Sequence, residues 1–315
     1  MSSGGGSSVS FAGFLARRLL SGALVLFVVV SLTFLAMRFA PGNPFTTERA
    51  IPEAVLHQLQ ARYNLAGTRG EQYFNYLGSL AHGDLGPSIR YKNRTVGEIL
   101  AQSLPVSMAI GACAFVIAMT AGIALGSFAA VRHNQAGDRG AMLLSLLGIS
   151  LPSFVLAPLA ILLFGVGLRW FPVAGWGGPR ELILPSVCLA LPFAASVARL
   201  MRTSLLDVLQ QDYVRTARAK GVAEGRVVYV HALKVAILPV LAYAGPLAAN
   251  LMTGSLVVEQ IFAIPGIGPF FVNSVLNLDI FLVGGVVLVY SFLLVLFNIV
   301  VDVLCAMLDK RIRNT

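Results

Sequence analysis

The sequence predicts an all-α integral membrane protein with six transmembrane helices, and three observations carry that reading. Six stretches contain no charged residue: 19–37, 106–131, 141–168, 182–198, 235–258 and 280–301. A helix rises about 1.5 Å per residue, so roughly 20 residues cross a hydrocarbon core of about 30 Å. Hydrophobic residues make up 57% of the 315 positions and charged residues 12%, with a mean hydropathy of +0.80. Soluble domains carry about 25% charged residues, so lipid is the implied solvent. Alternating strands at regular spacing are missing from the sequence, which leaves helices as the means of satisfying backbone groups in lipid.

The elements follow in order. Residues 1–10 are rich in Ser and Gly and predict no ordered structure. Arg17 and Arg18 precede the first apolar run. That run is 19 residues long, beyond the roughly 7–15 of a secretion-signal core, and no small-residue cleavage site follows it cleanly. It reads as an uncleaved first span. Residues 40–105 then form a long outer segment, with Val55, Leu59 and Tyr63 at helical spacing within 52–63. It predicts a small ordered cap, a candidate docking surface for something outside the membrane.

Placing Arg17 and Arg18 in the cytoplasm fixes the remaining topology by alternation. The cytoplasmic side then holds both termini, the loop 132–140, the segment 199–234 and the tail 309–315. Fourteen of the 23 Lys and Arg residues fall there, against two, Arg169 and Arg180, in the short outer loops. The other seven sit in or beside the long outer loop, where the positive-inside rule is weak. The net charge of +9 is therefore spread over loops, not gathered in the stripe that nucleic acid would need. No nucleic-acid partner is expected; membrane lipid is.

Pro152 and Pro158 in the third span, and Pro185 and Pro192 in the fourth, each remove a backbone donor and predict a kink. A single such proline reads as packing geometry. Four in adjacent spans raise the case for helices lining a pathway. Cys113, Cys188 and Cys305 lie in or against apolar spans without metal-site spacing, and read as small packing residues.

The segment between spans four and five carries the mechanism. It reads helical from Ser204 to Gly221, with Arg218 and Lys220 in the last turn and glycine at the stop. A second short helix starts near Glu224 and runs through His231 and Lys234 towards Pro239. Ala217 and Ala219 are small enough to let another backbone come close. A solvated basic loop is the plainer alternative, and physics alone weighs the two evenly.

Here a resemblance enters. Arg215-Thr-Ala-Arg-Ala-Lys-Gly221 resembles the coupling-loop motif of ATP-binding-cassette importer permeases, Glu-Ala-Ala with Gly at the seventh position. Arg215 and Thr216 stand where the general motif has Glu and Ala. In order along the chain also come Arg38-Phe-Ala-Pro-Gly-Asn-Pro-Phe45, Glu48-Arg49, Leu80-Ala-His-Gly-Asp-Leu-Gly-Pro-Ser88, Pro152-Ser-Phe154, His231-Ala-Leu-Lys234 and Glu259-Gln-Ile-Phe-Ala-Ile-Pro-Gly-Ile-Gly268. This pattern is similar to the oligopeptide B-subunit branch of the dipeptide/oligopeptide/nickel permease family.

The resemblance implies a type I ABC importer permease fold in the cytoplasmic (inner) membrane. Residues 1–104 would hold the tail, first span and outer cap. Residues 105–315 would be the permease core, with a coupling loop at about 201–235. It implies a second, homologous permease subunit, two ABC ATPase subunits and an extracytoplasmic peptide-binding protein. Tyr213, Arg215, Thr216, Ala217, Arg218, Ala219, Lys220 and Gly221 would couple to the ATPases. The chain has no Gly-Lys dipeptide, hence no phosphate-cradling loop. It predicts no cofactor or metal in this chain; ATP and magnesium would sit in the partner ATPases. Dipeptides, glutathione or nickel chelates are the alternative substrates.

The remaining candidates stay open. Glu259 with Pro265, Gly266 and Gly268 could form an outer gate or cap a re-entrant turn. Asp302 lies inside the last span, where a carboxylate is a functional candidate, and pairing with a base of the coupling loop is its structural alternative. Asn250 and Asn298 read as interhelical hydrogen-bonding amides. An intramembrane hydrolase using Ser255 would need a nearby base, yet His57, His82, His133 and His231 all fall in loops. An ion-coupled secondary transporter would want ionisable groups at mid-membrane, and the six spans have none there.

Overall fold

The computed structural model describes residues 11–39 and 67–308. The amphipathic stretch 52–63, the segment 41–49 and both chain ends lie outside the described residues. The described chain is helical, apart from one isolated antiparallel bridge between Pro87 and Thr95. Among the described residues five helices are long and apolar enough to cross a membrane, and a bent pair brings the number to six if it forms one span.

The first span, Phe11–Phe39, is 29 residues long and packs against the last, Ile280–Leu308. Gly22 allows the approach, since a Cβ there would come within 2.6 Å of Val295 Cγ1. At its outer end Phe34 meets the rings of Tyr73 and Tyr76 at 5.3 and 5.7 Å. Those tyrosines belong to the short helix Arg69–Ala81, started by a reciprocal Thr68–Glu71 cap.

The second span begins earlier than its charge-free run suggests. It covers Val96–Val131, opened by a Thr95–Glu98 capping box, so the 104/105 division falls inside a continuous helix. Residues 96–105 are not lipid-facing throughout. Val96, Ile99 and Leu100 are buried against Ile267, Leu282 and Val286, so these first turns carry polar residues without leaving the fold.

The third charge-free stretch is not one straight crossing. Helices Ala136–Ser150 and Ser153–Gly167 meet at 103°, the second ending in a π-helical turn from Ile161 to Gly167. Pro152 is the cause. A proline excludes its predecessor from helical geometry, and Leu151 is extended at φ −88°, ψ 112°. Pro158, Pro185 and Pro192 behave differently, each lying inside a continuous helix. The kink expected at each of the four prolines is matched by a 103° bend at Pro152.

The fourth span, Pro179–Leu209, runs for 31 residues and packs along the second. Gly122 and Gly126 make that seam. A Cβ on Gly122 would lie 2.6 Å from Val197 Cβ, and one on Gly126 would strike the Ala198 carbonyl. Gly111 faces the Leu251 carbonyl of the fifth span in the same way. Small residues let helix backbones touch where lipid supplies no hydrophobic drive. The fifth span, Leu238–Ile261, is interrupted at Gly254, whose φ is +85°. A short apolar helix, Ile267–Leu276, then leads to the last span.

Between spans four and five the helix does not run unbroken to Gly221. It stops at Leu209, and a new helix covers Asp212–Ala219. Gln211 is extended at φ −71°, ψ 151°, and the change of direction turns Val214 fully into the core. Short helices Glu224–Arg226 and Leu233–Ala236 flank a π turn, Val227–Ala232.

The glycine seam yields a paired prediction. Gly126→Ala should lower the midpoint of thermal unfolding in detergent, since overpacking costs about 1–3 kcal/mol. Gly140 lies mid-helix with open space around its would-be Cβ. Gly140→Ala should raise the midpoint, by about 0.4–1 kcal/mol of stability. Equal effects at the two sites would contradict this account of the seam.

Candidate functional site

The segment between spans four and five is built on one buried anchor and one glycine stop. Val214 is fully buried, while Tyr213, Arg215, Thr216, Ala219 and Lys220 are exposed. The helix Asp212–Ala219 closes with two backbone bonds, Gly221 N–H to Arg218 O at 2.9 Å and Val222 N–H to Ala217 O at 3.2 Å. These are the two bonds of a Schellman cap, and Gly221 adopts the left-handed φ of +78° that it requires. Space is open around Gly221, so backbone conformation alone dictates glycine there.

Arg218 fastens the turn. Its Nη2 and Nε donate to Glu224 Oε1 and Oε2 at 2.6 and 3.0 Å, and Nη1 reaches the Leu209 carbonyl at 3.4 Å. This fork joins the helix, the following helix and the end of span four. Each partner shifts the other's titration: the guanidinium holds the Glu224 carboxyl below its usual range, and the carboxylate raises Arg218. Arg215 pairs with Asp212 at 3.6 Å on the exposed side. Ala217 and Ala219 differ in role. Ala217 is half-buried and packs on the chain's own core, whereas Ala219 is exposed. The exposed face thus carries cations and one small residue over a rigid frame.

The outer cluster is a hydrogen-bonded knot. Glu259 is 1% exposed. Its Oε1 accepts from Ser107 Oγ at 2.7 Å and its Oε2 from the Gly268 N–H at 2.8 Å. Ser107 Oγ in turn accepts from the Ile267 N–H at 2.8 Å. The carboxylate therefore sits at the N-terminus of the helix Ile267–Leu276, where free N–H groups favour it. Gly254, Gly266 and Gly268 crowd it so closely that a Cβ on any of them would meet a Glu259 oxygen. Pro265 is exposed beside them. The outer loop joins the knot's rim through Gly175 N–H to Phe262 O at 2.9 Å.

Asp302 is paired with Arg18 of the first span, Nε to Oδ2 at 3.1 Å. Its partner comes from the opposite end of the chain, not from the coupling segment. Ser255 caps the helix Leu256–Ile261 by accepting from Val258 N–H at 3.4 Å. Among the described residues no group of three or more His, Cys, Asp or Glu is arranged to hold a metal ion.

Two carboxylates escaped the sequence reading. Asp138, in the first turn of span three, is 3% exposed. It accepts from Arg202 Nε and Nη2 at 2.6 and 2.7 Å and from the Asn134 N–H at 2.9 Å. Arg202 lies on the inner end of span four, where Ser204 Oγ donates to the Ala236 carbonyl beyond the coupling segment at 2.8 Å. Nothing local signals a partner 64 residues away. Asp279, fully buried, accepts from Ser88 Oγ at 2.5 Å and the Arg90 N–H at 3.1 Å. It also caps the last span through the Leu282 N–H at 3.2 Å. An Asp just before an apolar run is an N-cap signal that was there to be read.

The arrangement is that of a membrane bundle with a stiff basic arm on one face and a sealed polar knot near the other. Comparison with known proteins agrees. Residues 122–314 match the model of the binding-protein-dependent transport system inner membrane component family. The oligopeptide transport system permease protein OppB of Salmonella typhimurium is 45% identical over 302 residues, covering 95% of this chain and 99% of that protein. OppB of Haemophilus influenzae is 42% identical over the same length and coverage. The dipeptide transport system permease protein DppB of Bacillus subtilis is 42% identical over 300 residues, 95% of this chain and 97% of that protein. The chain is a multi-pass membrane protein and belongs to the binding-protein-dependent transport system inner membrane component family.

Proposed function

We propose that this chain is a translocating subunit that carries oligopeptides inward across the cytoplasmic membrane, powered by separate ATPases. The observation that carries the reading is 45% identity to an oligopeptide permease along 95% of the chain. The Bacillus dipeptide permease is 42% identical, equal to the Haemophilus oligopeptide permease and below the 45% of the Salmonella one, and the higher figure favours the longer substrate. In this reading a second, homologous permease completes the path and a peptide-binding protein delivers substrate from outside. Both termini face the cytoplasm. ATP and magnesium belong to the two ATPase partners.

The exposed face of Asp212–Ala219 is the surface those ATPases grip. Tyr213, Arg215, Thr216, Ala219 and Lys220 present it. Val214, Ala217, Arg218 and Gly221 hold it rigid against the bundle. A pull on this arm reaches span four through Arg218 to the Leu209 carbonyl and span five through Ser204 to the Ala236 carbonyl. It reaches span three through the Asp138–Arg202 fork. Packed elements linked this way turn as a body, which is how such transitions exchange one access for the other. At the outer face the Glu259 knot, with Pro265, Gly266 and Gly268, forms the gate that this rotation opens.

Co-purification from the native membrane tests the assembly: a second permease and two ATPase chains should accompany the tagged protein, and peptide-loaded binding protein should raise ATP hydrolysis. Recovery of this chain alone would contradict the reading. Ala219→Trp should abolish peptide uptake while leaving membrane insertion and thermal stability unchanged, because the side chain points away from the bundle. Normal uptake in that variant would place the grip elsewhere. Asp138→Asn should cut uptake at least tenfold while ATP hydrolysis persists. It should also destabilise the chain, since leaving one member of a buried pair alone costs about 3–5 kcal/mol. Retained tight coupling would remove the fork from the transmission path.

A further inference from the structure

A pocket of about 400 Å³ lies in the turn between spans three and four, where Arg169, Trp170 and Arg180 share its lining with Phe171 and Val173. Both arginines occupy positions that the backbone disfavours. Span three ends with the Leu168 N–H on the Leu163 carbonyl at 2.9 Å and the Trp170 N–H on the Phe164 carbonyl at 2.8 Å. Between them Arg169 has a φ of +55°, the left-handed conformation that helix ends ordinarily give to glycine. Arg180 falls in the first turn of span four, directly after Pro179, where the helix dipole is unfavourable to a cation. Both side chains are exposed, and neither makes an ion pair among the described residues, Glu181 beside them included. Two unpaired cations, each poorly placed for the fold and both at one pocket, point to an anion.

The surroundings say which kind. The chain's two tryptophans, Trp170 and Trp176, both fall in this turn and both are exposed. Exposed tryptophan at the end of a span marks the headgroup level of a bilayer. Leading up to the pocket, Leu159, Leu162, Leu163 and Val166 recur at helical spacing, and each is more than half exposed. We propose that this pocket holds the phosphate of a phospholipid, clamped by Arg169 and Arg180, with an acyl chain lying along the Leu159–Val166 row. In the orientation proposed above it is a lipid of the outer leaflet. The guanidinium fork matches phosphate oxygens with paired donors. A carboxylate on a water-soluble protein would satisfy the arginines but could not follow the apolar row into the hydrocarbon. A helix of a neighbouring subunit would cover the row but brings no anion of its own. A phospholipid supplies both parts in one molecule.

The test uses the full chain with whatever subunits accompany it, delipidated in detergent and given a few equivalents of phosphatidylglycerol bearing a diazirine midway along one acyl chain. Illumination and digestion should place adducts on the peptide containing Leu159–Val166. Arg169→Gly and Arg180→Gln should each cut that labelling at least roughly tenfold, the loss of charge-assisted hydrogen bonds to phosphate. The thermal midpoint of the lipid-free protein should hold or rise in both, because glycine suits the left-handed backbone and glutamine removes a cation from the helix start. A large excess of inorganic phosphate should leave the labelling in place. Unchanged labelling in both variants would overturn the proposal, since the row would then be bathed by lipid without a headgroup site. Complete displacement by inorganic phosphate would make it a site for the free anion instead. Adducts confined to an accompanying subunit would make this face a contact between subunits, and the lipid site would fall.

Discussion

The structure depends on how closely span two approaches its neighbours. Gly122 and Gly126 put its backbone against span four, and Gly111 puts it against span five. In lipid no hydrophobic force drives helices together, so contact must come from backbone proximity and dispersion. With spans two, four and five in direct contact, the segment between four and five is mounted on a solid body, as the coupling role proposed for it requires.

Buried carboxylates do the fastening that glycine packing cannot. Asp138 joins span three to span four, Glu259 joins span two to the helix Ile267–Leu276, and Asp279 joins the outer loop to the last span. Asp302 ties the last span to the first. Each sits near an end of a span, where partners are available and the cost of burying charge is smaller than at mid-membrane.

The spans were legible because lipid permits so few charges within them. Gly221 was legible too, as glycine after a basic turn has one common use. The start of span two was hidden because residues 96–105 pack against protein, at Ile267, Leu282 and Val286, and so need not be uniformly apolar. The bend at Pro152 was visible as a proline, but its 103° angle depends on what each half packs against. The break at Gln210–Gln211 had no local cause, since glutamine is a good helix former; it arises because Val214 turns into the core. Charge pairs were the least legible. Arg18 with Asp302, and Arg202 with Asp138, connect positions that no periodicity relates.

In the function proposed above, this chain is a conduit moved from its inner surface by separate chains that hydrolyse ATP. Peptide uptake into proteoliposomes, with and without the ATPase chains, tests this most directly. Accumulation of peptide against its gradient should require the second permease, the ATPases and ATP together, and should ignore an imposed proton or sodium gradient. Accumulation by this chain alone, or driven by an ion gradient without ATP, would contradict it.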